Sequence, residues 1–149
     1  MAQQPDKSSP YIFVSYATKD LPILQPEIDA LRAQSISLWV DDGVPLSTLP
    51  WKEADSLARV VRRSTGFMAF ATADWASCGN ALDELLFAFH RRRPVALVQL
   101  VEEWPDPRVA KIAAAPTASV IRGLPKIASG ELLTWSQSLM NLARLQDSG

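Results

Sequence analysis

Among 149 residues there is a single cysteine, Cys78, and a single histidine, His90. One thiol closes no disulfide within the chain, and one thiol with one imidazole gives too few soft ligands for a zinc site. No metal is expected, and Cys78, with no histidine near it in sequence, reads as a small buried or half-buried hydrophobe rather than a nucleophile. Excess charge is also lacking. Fifteen Lys and Arg stand against sixteen Asp and Glu, a net charge of −1, so no global field draws the chain to nucleic acid or to an anionic membrane. The basic run "HRRRP", residues 90–94, ends a helical pattern just before a proline, where arginines complement the helix dipole. No apolar run approaches the roughly 20 residues of a membrane span, and "MAQQPDKSSP" is too polar for a secretory signal. These absences imply a cytoplasmic protein that binds neither nucleic acid nor membrane.

A hydrophobic content of 48% with 21% charged residues is that of an ordinary folded domain. After a flexible leader over 1–10, one domain is expected over 11–146, with 147–149 a tail. "YIFVSYATKD", from Tyr11, is an apolar run bounded by Pro10 that breaks into small and polar residues, the pattern of a buried strand ending near Ser15 and Tyr16. Helical spacing follows over 20–34, with Pro26 a candidate kink, and "ISLWVDD" reads as a second strand. "GVPLSTLP" is a loop and 51–64 a second helix. "GFMAFAT" is a third strand, and 79–92 a third helix with Leu82, Leu85, Leu86 and Phe89 as its apolar stripe. "PVALVQL" and "ASVIRG" are further strands, separated by a loop with a short helical piece, and 130–146 is a closing amphipathic helix. Five short apolar strands alternating with helices predict an α/β fold of three layers, flavodoxin-like, in which helices flank a five-stranded parallel sheet. Ligands of such sheets gather outside the carboxyl ends of the strands, so residues near Tyr16 become candidates for lining a crevice.

On the residues alone each candidate also has a plainer reading. Tyr16, Trp39 and Trp51 could pack in the core, and Asp83 with Glu84 could form a solvated helix face. On a helix Glu84 falls about 200° from Leu82, sharing a face with Asn80 one turn earlier.

The motifs resemble those of the TIR (Toll/interleukin-1 receptor) domain family, over residues 11–145. "YIFVSYATKD" is similar to its first box, a strand ending in a Ser-Tyr pair; "LWVDDGVPL" to its second strand and BB loop; "SCGNALDELLFA" to the segment where a Ser precedes a Glu-Leu pair on the third helix. "EEWPDPRV" resembles a Trp-Pro stretch of NAD-cleaving members. Within that branch the resemblance implies Glu84 as the catalytic residue, with Tyr16, Ala17, Trp39, Asp41, Ser77 and Asn80 contacting substrate and Gly43, Val44, Pro45 and Leu46 in a loop that mediates assembly. Two positions depart from the pattern: Asn80 stands where a tryptophan is common, and Ala17 where a basic residue is.

The implied activity is cleavage of NAD to nicotinamide and ADP-ribose, or a cyclic isomer, by a self-assembled immune or toxin-like effector of bacterial origin. Nicotinamide is already a cationic pyridinium and departs neutral, so a single carboxylate near the ribosyl cation replaces the usual glycosidase pair. No cofactor is implied. The implied partners are NAD and other copies of the chain through TIR-TIR contacts, up to filaments, with room for a sensor domain or partner outside this chain. The other readings are a non-enzymatic TIR scaffold and a receiver-like signalling domain, the latter opposed by "SYATKD" where a receiver carries an acidic pair.

Overall fold

The structure, a computed structural model, describes residues 10–40, 59–77, 79–104, 106–123 and 130–148. The chain runs β1 (Ile12–Ser15), a 3-10 turn (Thr18–Asp20), α1 (Leu21–Ala33) and β2 (Leu38–Val40), with residues 59–63 helical before β3 (Gly66–Ala71). It continues through α2 (Ala73–Ala76), α3 (Gly79–His90), β4 (Val95–Gln99), α4 (Pro107–Ala113), β5 (Ala118–Arg122) and α5 (Gly130–Ser148). All pairings are parallel, in the spatial order β2-β1-β3-β4-β5. This is the flavodoxin-like doubly wound arrangement expected from the alternating pattern, and the winding of successive strands across the sheet reverses between β1 and β3. Ile12, Val14, Val40, Phe67, Met68, Val95, Leu97 and Val120 all lie on strands.

Strand alternation divides the core in two. Ile12, Val14, Met68, Phe70, Ala96 and Val98 pack with Leu24, Ile28 and Leu31 of α1 and Leu132 and Met140 of α5. Phe13, Phe67, Ala69, Val95 and Leu97 pack on the opposite face with Val61, Trp75 of α2, Leu82 and Leu85 of α3, and Ile112 of α4. Phe13 is the middle of an aromatic ladder, stacked on Trp39 at 5.1 Å and on Phe67 at 5.4 Å, which are its register partners on either side. β2 and β5 are the sheet edges, and β5 is accordingly half-exposed rather than buried throughout.

Two helices stop by the same device. After α1, Ile36 N–H donates to Leu31 O and Ser35 N–H to Arg32 O; after α3, Arg93 N–H donates to Ala88 O and Arg92 N–H to Phe89 O. Both are Schellman closures, with Ser35 (φ 64°) and Arg92 (φ 59°) in the left-handed conformation that glycine adopts at least cost.

Three elements depart from the sequence pattern. The helix α2 has no counterpart in it; Thr72 caps this helix by accepting from Trp75 N–H at 3.1 Å, and Trp75 is fully buried. The closing helix runs to Ser148, into the expected tail. The buried face of α3 centres on Ala81, Leu85 and Ala88, while Leu86 and Phe89 are only half-buried. Alanines mark a buried face weakly in sequence, so the expected stripe lies too far round the helix.

Candidate functional site

β1 is apolar until its last residue, and alternation puts that residue, Ser15, on the same face as Phe13, beneath α3. A hydroxyl there must find partners, because it is fully buried. It finds two. Trp75 Nε1–H donates to Ser15 Oγ at 3.0 Å, and Ser15 Oγ–H donates to Glu84 Oε1 at 3.2 Å. Glu84, in the second turn of α3, retains 4% of its surface. The solvated-face reading therefore fails for Glu84 and holds for its neighbour Asp83, which is exposed. With the buried face of α3 centred on Leu85, position 84 falls on that face beside Ala81 and Ala88.

The location is set by topology. Ser15 pairs in register with Ala69 of β3, across the β1/β3 boundary where the winding reverses. The loops that leave these two strands are tied together, for Thr72 Oγ1–H donates to Asp20 Oδ2 at 2.5 Å. The buried carboxylate thus stands at the carboxyl edge of the sheet, at its switch point, where doubly wound folds hold ligands. In its ionised form a carboxyl group here would act through low-dielectric surroundings, which strengthen its field on a nearby cation. Further along the same edge Asp106 caps α4, accepting from Arg108 N–H at 2.8 Å and pairing with the Arg108 guanidinium at 2.9 Å. That side-chain hydrogen bond holds the Asp106 carboxyl below its ordinary range.

The other sequence candidates are distributed unevenly. Ala17 is buried in the α3-face core, alongside Leu82 and Leu85. Tyr16 is buried in the opposite cluster with Leu24 and Ile28, so the Ser-Tyr pair splits between the two faces of the sheet. Trp39 is half-buried in the aromatic ladder, in the middle of β2. Ser77 is exposed, and its hydroxyl donates to Ala73 O at 2.9 Å, closing α2. Asn80 lies in α3 one turn before Glu84, with its side chain outside the described residues. Asp41, Gly43, Val44, Pro45, Leu46, Trp51 and Cys78 lie outside them altogether.

Ser15 and Trp75 are the residues that the sequence pattern does not assign to the site. A polar residue closing a wholly apolar strand is a usable signal for Ser15. Trp75 has none, because it lies outside the helical pattern of 79–92, on a helix of four residues that is too short to show a period. Among the described residues no cluster of three His, Cys, Asp or Glu side chains could hold a metal, and no helix is long and apolar enough to cross a membrane. No protein-family model matches the chain, and no curated protein matches it.

Proposed function

We propose that the chain is a TIR-type NAD glycohydrolase, active when copies assemble, with Glu84 as its catalytic carboxylate. The observation that supports this reading is the position of Glu84: a carboxyl group at the β1/β3 switch point, bonded to Ser15, which Trp75 in turn orients. In the proposed reaction the bond between the ribose anomeric carbon and the pyridinium nitrogen breaks, and its electron pair leaves with neutral nicotinamide. The cation left on the ribose is stabilised by Glu84 and captured by water, which loses a proton, or by an adenine nitrogen, which gives a cyclic product. Neither an external acid nor a metal enters this scheme. Assembly through the loop containing Leu46 belongs to the same proposal.

A second reading, a TIR scaffold without enzymatic activity, is favoured by one specific observation. A carboxylate that is 4% exposed and hydrogen-bonded to a buried serine also serves to fix α3 against β1. Incubating concentrated or artificially clustered protein with NAD separates the two. Release of free nicotinamide, rising faster than linearly with protein concentration, is expected of the enzyme; no release at any concentration, clustered or not, leaves the scaffold.

A further inference from the structure

Positive charge is gathered at the end of the sheet opposite Glu84. Tyr11, Thr65 and Pro94 immediately precede β1, β3 and β4, and around them stand Arg62 and Arg63, which end the helical residues 59–63, and Arg91, Arg92 and Arg93, which follow α3. Thr65 N–H donates to Tyr11 O at 2.7 Å and Phe67 N–H to Pro94 O at 2.8 Å, so the segments that carry the two arginine groups lie side by side at this end of the sheet. Four of the five, Arg62, Arg63, Arg91 and Arg92, are exposed. Among the described residues none of the five enters an ion pair. Arg91 stacks over the Phe87 ring at 5.1 Å, and Arg93 Nε is buried without a hydrogen-bond partner among the described residues.

Helix dipoles account for some positive charge here, since α3 points its carboxyl end this way. They do not account for Arg92, which occupies a left-handed position that glycine fills with less strain.

Among the described residues the carboxyl edge carries an excess of the opposite sign, although Lys19 and Arg122 are also exposed there. Asp74, Asp83, Glu102 and Glu103 are exposed beside the ends of β3 and β4, and Asp106 is already engaged by Arg108. The two poles stand about 20 Å apart along a six-residue strand such as β3, beyond the screening length of about 8 Å at physiological salt. Within one chain they cannot neutralise each other. Between two chains they can.

We propose that the arginine end of one copy docks on the acidic carboxyl edge of the next, a head-to-tail contact that propagates into a ring or an open filament. The occupant of the arginine surface is a second copy of this chain, because the complementary charge is present on the same molecule. This inference rests on the self-association in the proposed function, not on its cleavage chemistry, and it places a contact apart from the Leu46 loop.

The test uses the full chain with two charge-reversed variants, R62E/R91E and E102R/E103R, all at exposed positions, with circular dichroism to confirm folding. Sedimentation is measured at about 50 mM and about 1 M salt, where the screening length shrinks to about 3 Å. The parent is expected to associate at low salt and dissociate at high salt, and each variant alone to remain monomeric. An equimolar mixture of the two variants is expected to associate again, because each supplies the pole that the other has inverted. If either reversal unfolds the chain, the neutral variants R62Q/R91Q and E102Q/E103Q replace it, and each is expected to lose association. Association of the parent that ignores salt, or a mixture that stays monomeric, overturns the proposal. So does a monomeric parent that binds a labelled oligonucleotide through the arginines. None of these readouts requires NAD, so loss of the contact and absence of cleavage are scored separately.

Discussion

The hydroxyl of Ser15 bridges two buried groups, accepting from the indole of Trp75 and donating to the carboxyl group of Glu84. Replacing Ser15 with Ala removes the acceptor for the buried Trp75 N–H and a donor to the buried Glu84 carboxyl group together. Leaving a buried polar group unsatisfied costs about 1–3 kcal/mol, so Ser15→Ala should lower unfolding free energy by that order in chemical denaturation. An unchanged denaturation midpoint would show that the network does not hold α3 to β1. At the opposite end of the sheet, Tyr11 O–H donates to Val60 O at 2.6 Å, and burial raises its phenol above the ordinary value of 10.0 despite Arg63 and Arg93 nearby. Above pH 10 the unfolded chain therefore sheds this proton before the folded one does, and stability falls as pH rises through the folded value. Tyr11→Phe should be less stable at neutral pH by about 0.5–1.5 kcal/mol, the worth of one hydrogen bond, and should lose part of the alkaline decline. Melts of both proteins from pH 7 to 11 check this.

At the scale of elements, the sharpest packing constraint is where β3 begins. A Cβ on Gly66 would stand 2.6 Å from Leu139 Cδ1 of α5 and 3.3 Å from the Pro94 carbonyl oxygen. Leu139 can rotate away, but the carbonyl belongs to the adjoining backbone and cannot. Gly66→Ala should therefore destabilise by about 1–3 kcal/mol, the usual cost of overpacking, measured as a lowered melting temperature. The elements themselves are largely legible in sequence. Continuous apolar runs such as "GFMAFAT" separate buried parallel strands from helices without ambiguity, and their alternation with helical spacing leaves few topologies. Those rules fix neither the strand order nor the tilt of α3. Its rotation depends on how Ala81 and Ala88 let the helix approach the sheet, and small residues announce neither face. Hence Glu84 can be singled out as a site residue from the motif it resembles, while its burial and its bond to Ser15 cannot be read. Trp75 is hidden for a related reason: a four-residue helix has too few positions to display a period.

Over the whole molecule, the proposed activity requires assembly of copies of the chain. Leu46→Asp places a charge in the loop expected to mediate contact; the variant should stay folded, self-associate less and release less nicotinamide than the parent at equal concentration. Full association and full activity in Leu46→Asp would exclude the loop from assembly. The Glu84 carboxylate itself is tested by Glu84→Gln. Glutamine keeps the length of the side chain and an oxygen that accepts from Ser15, so the fold is expected to remain while the negative charge is lost. Asp83→Asn is the matched control, one residue away and exposed, removing the same charge from the solvent side of α3. With both variants assembled as well as the parent, release of nicotinamide from NAD should fall about 10²- to 10⁴-fold in Glu84→Gln and stay near the parent's rate in Asp83→Asn. A Glu84→Gln protein that cleaves NAD at the parent's rate would contradict the assignment of Glu84 as the catalytic carboxylate.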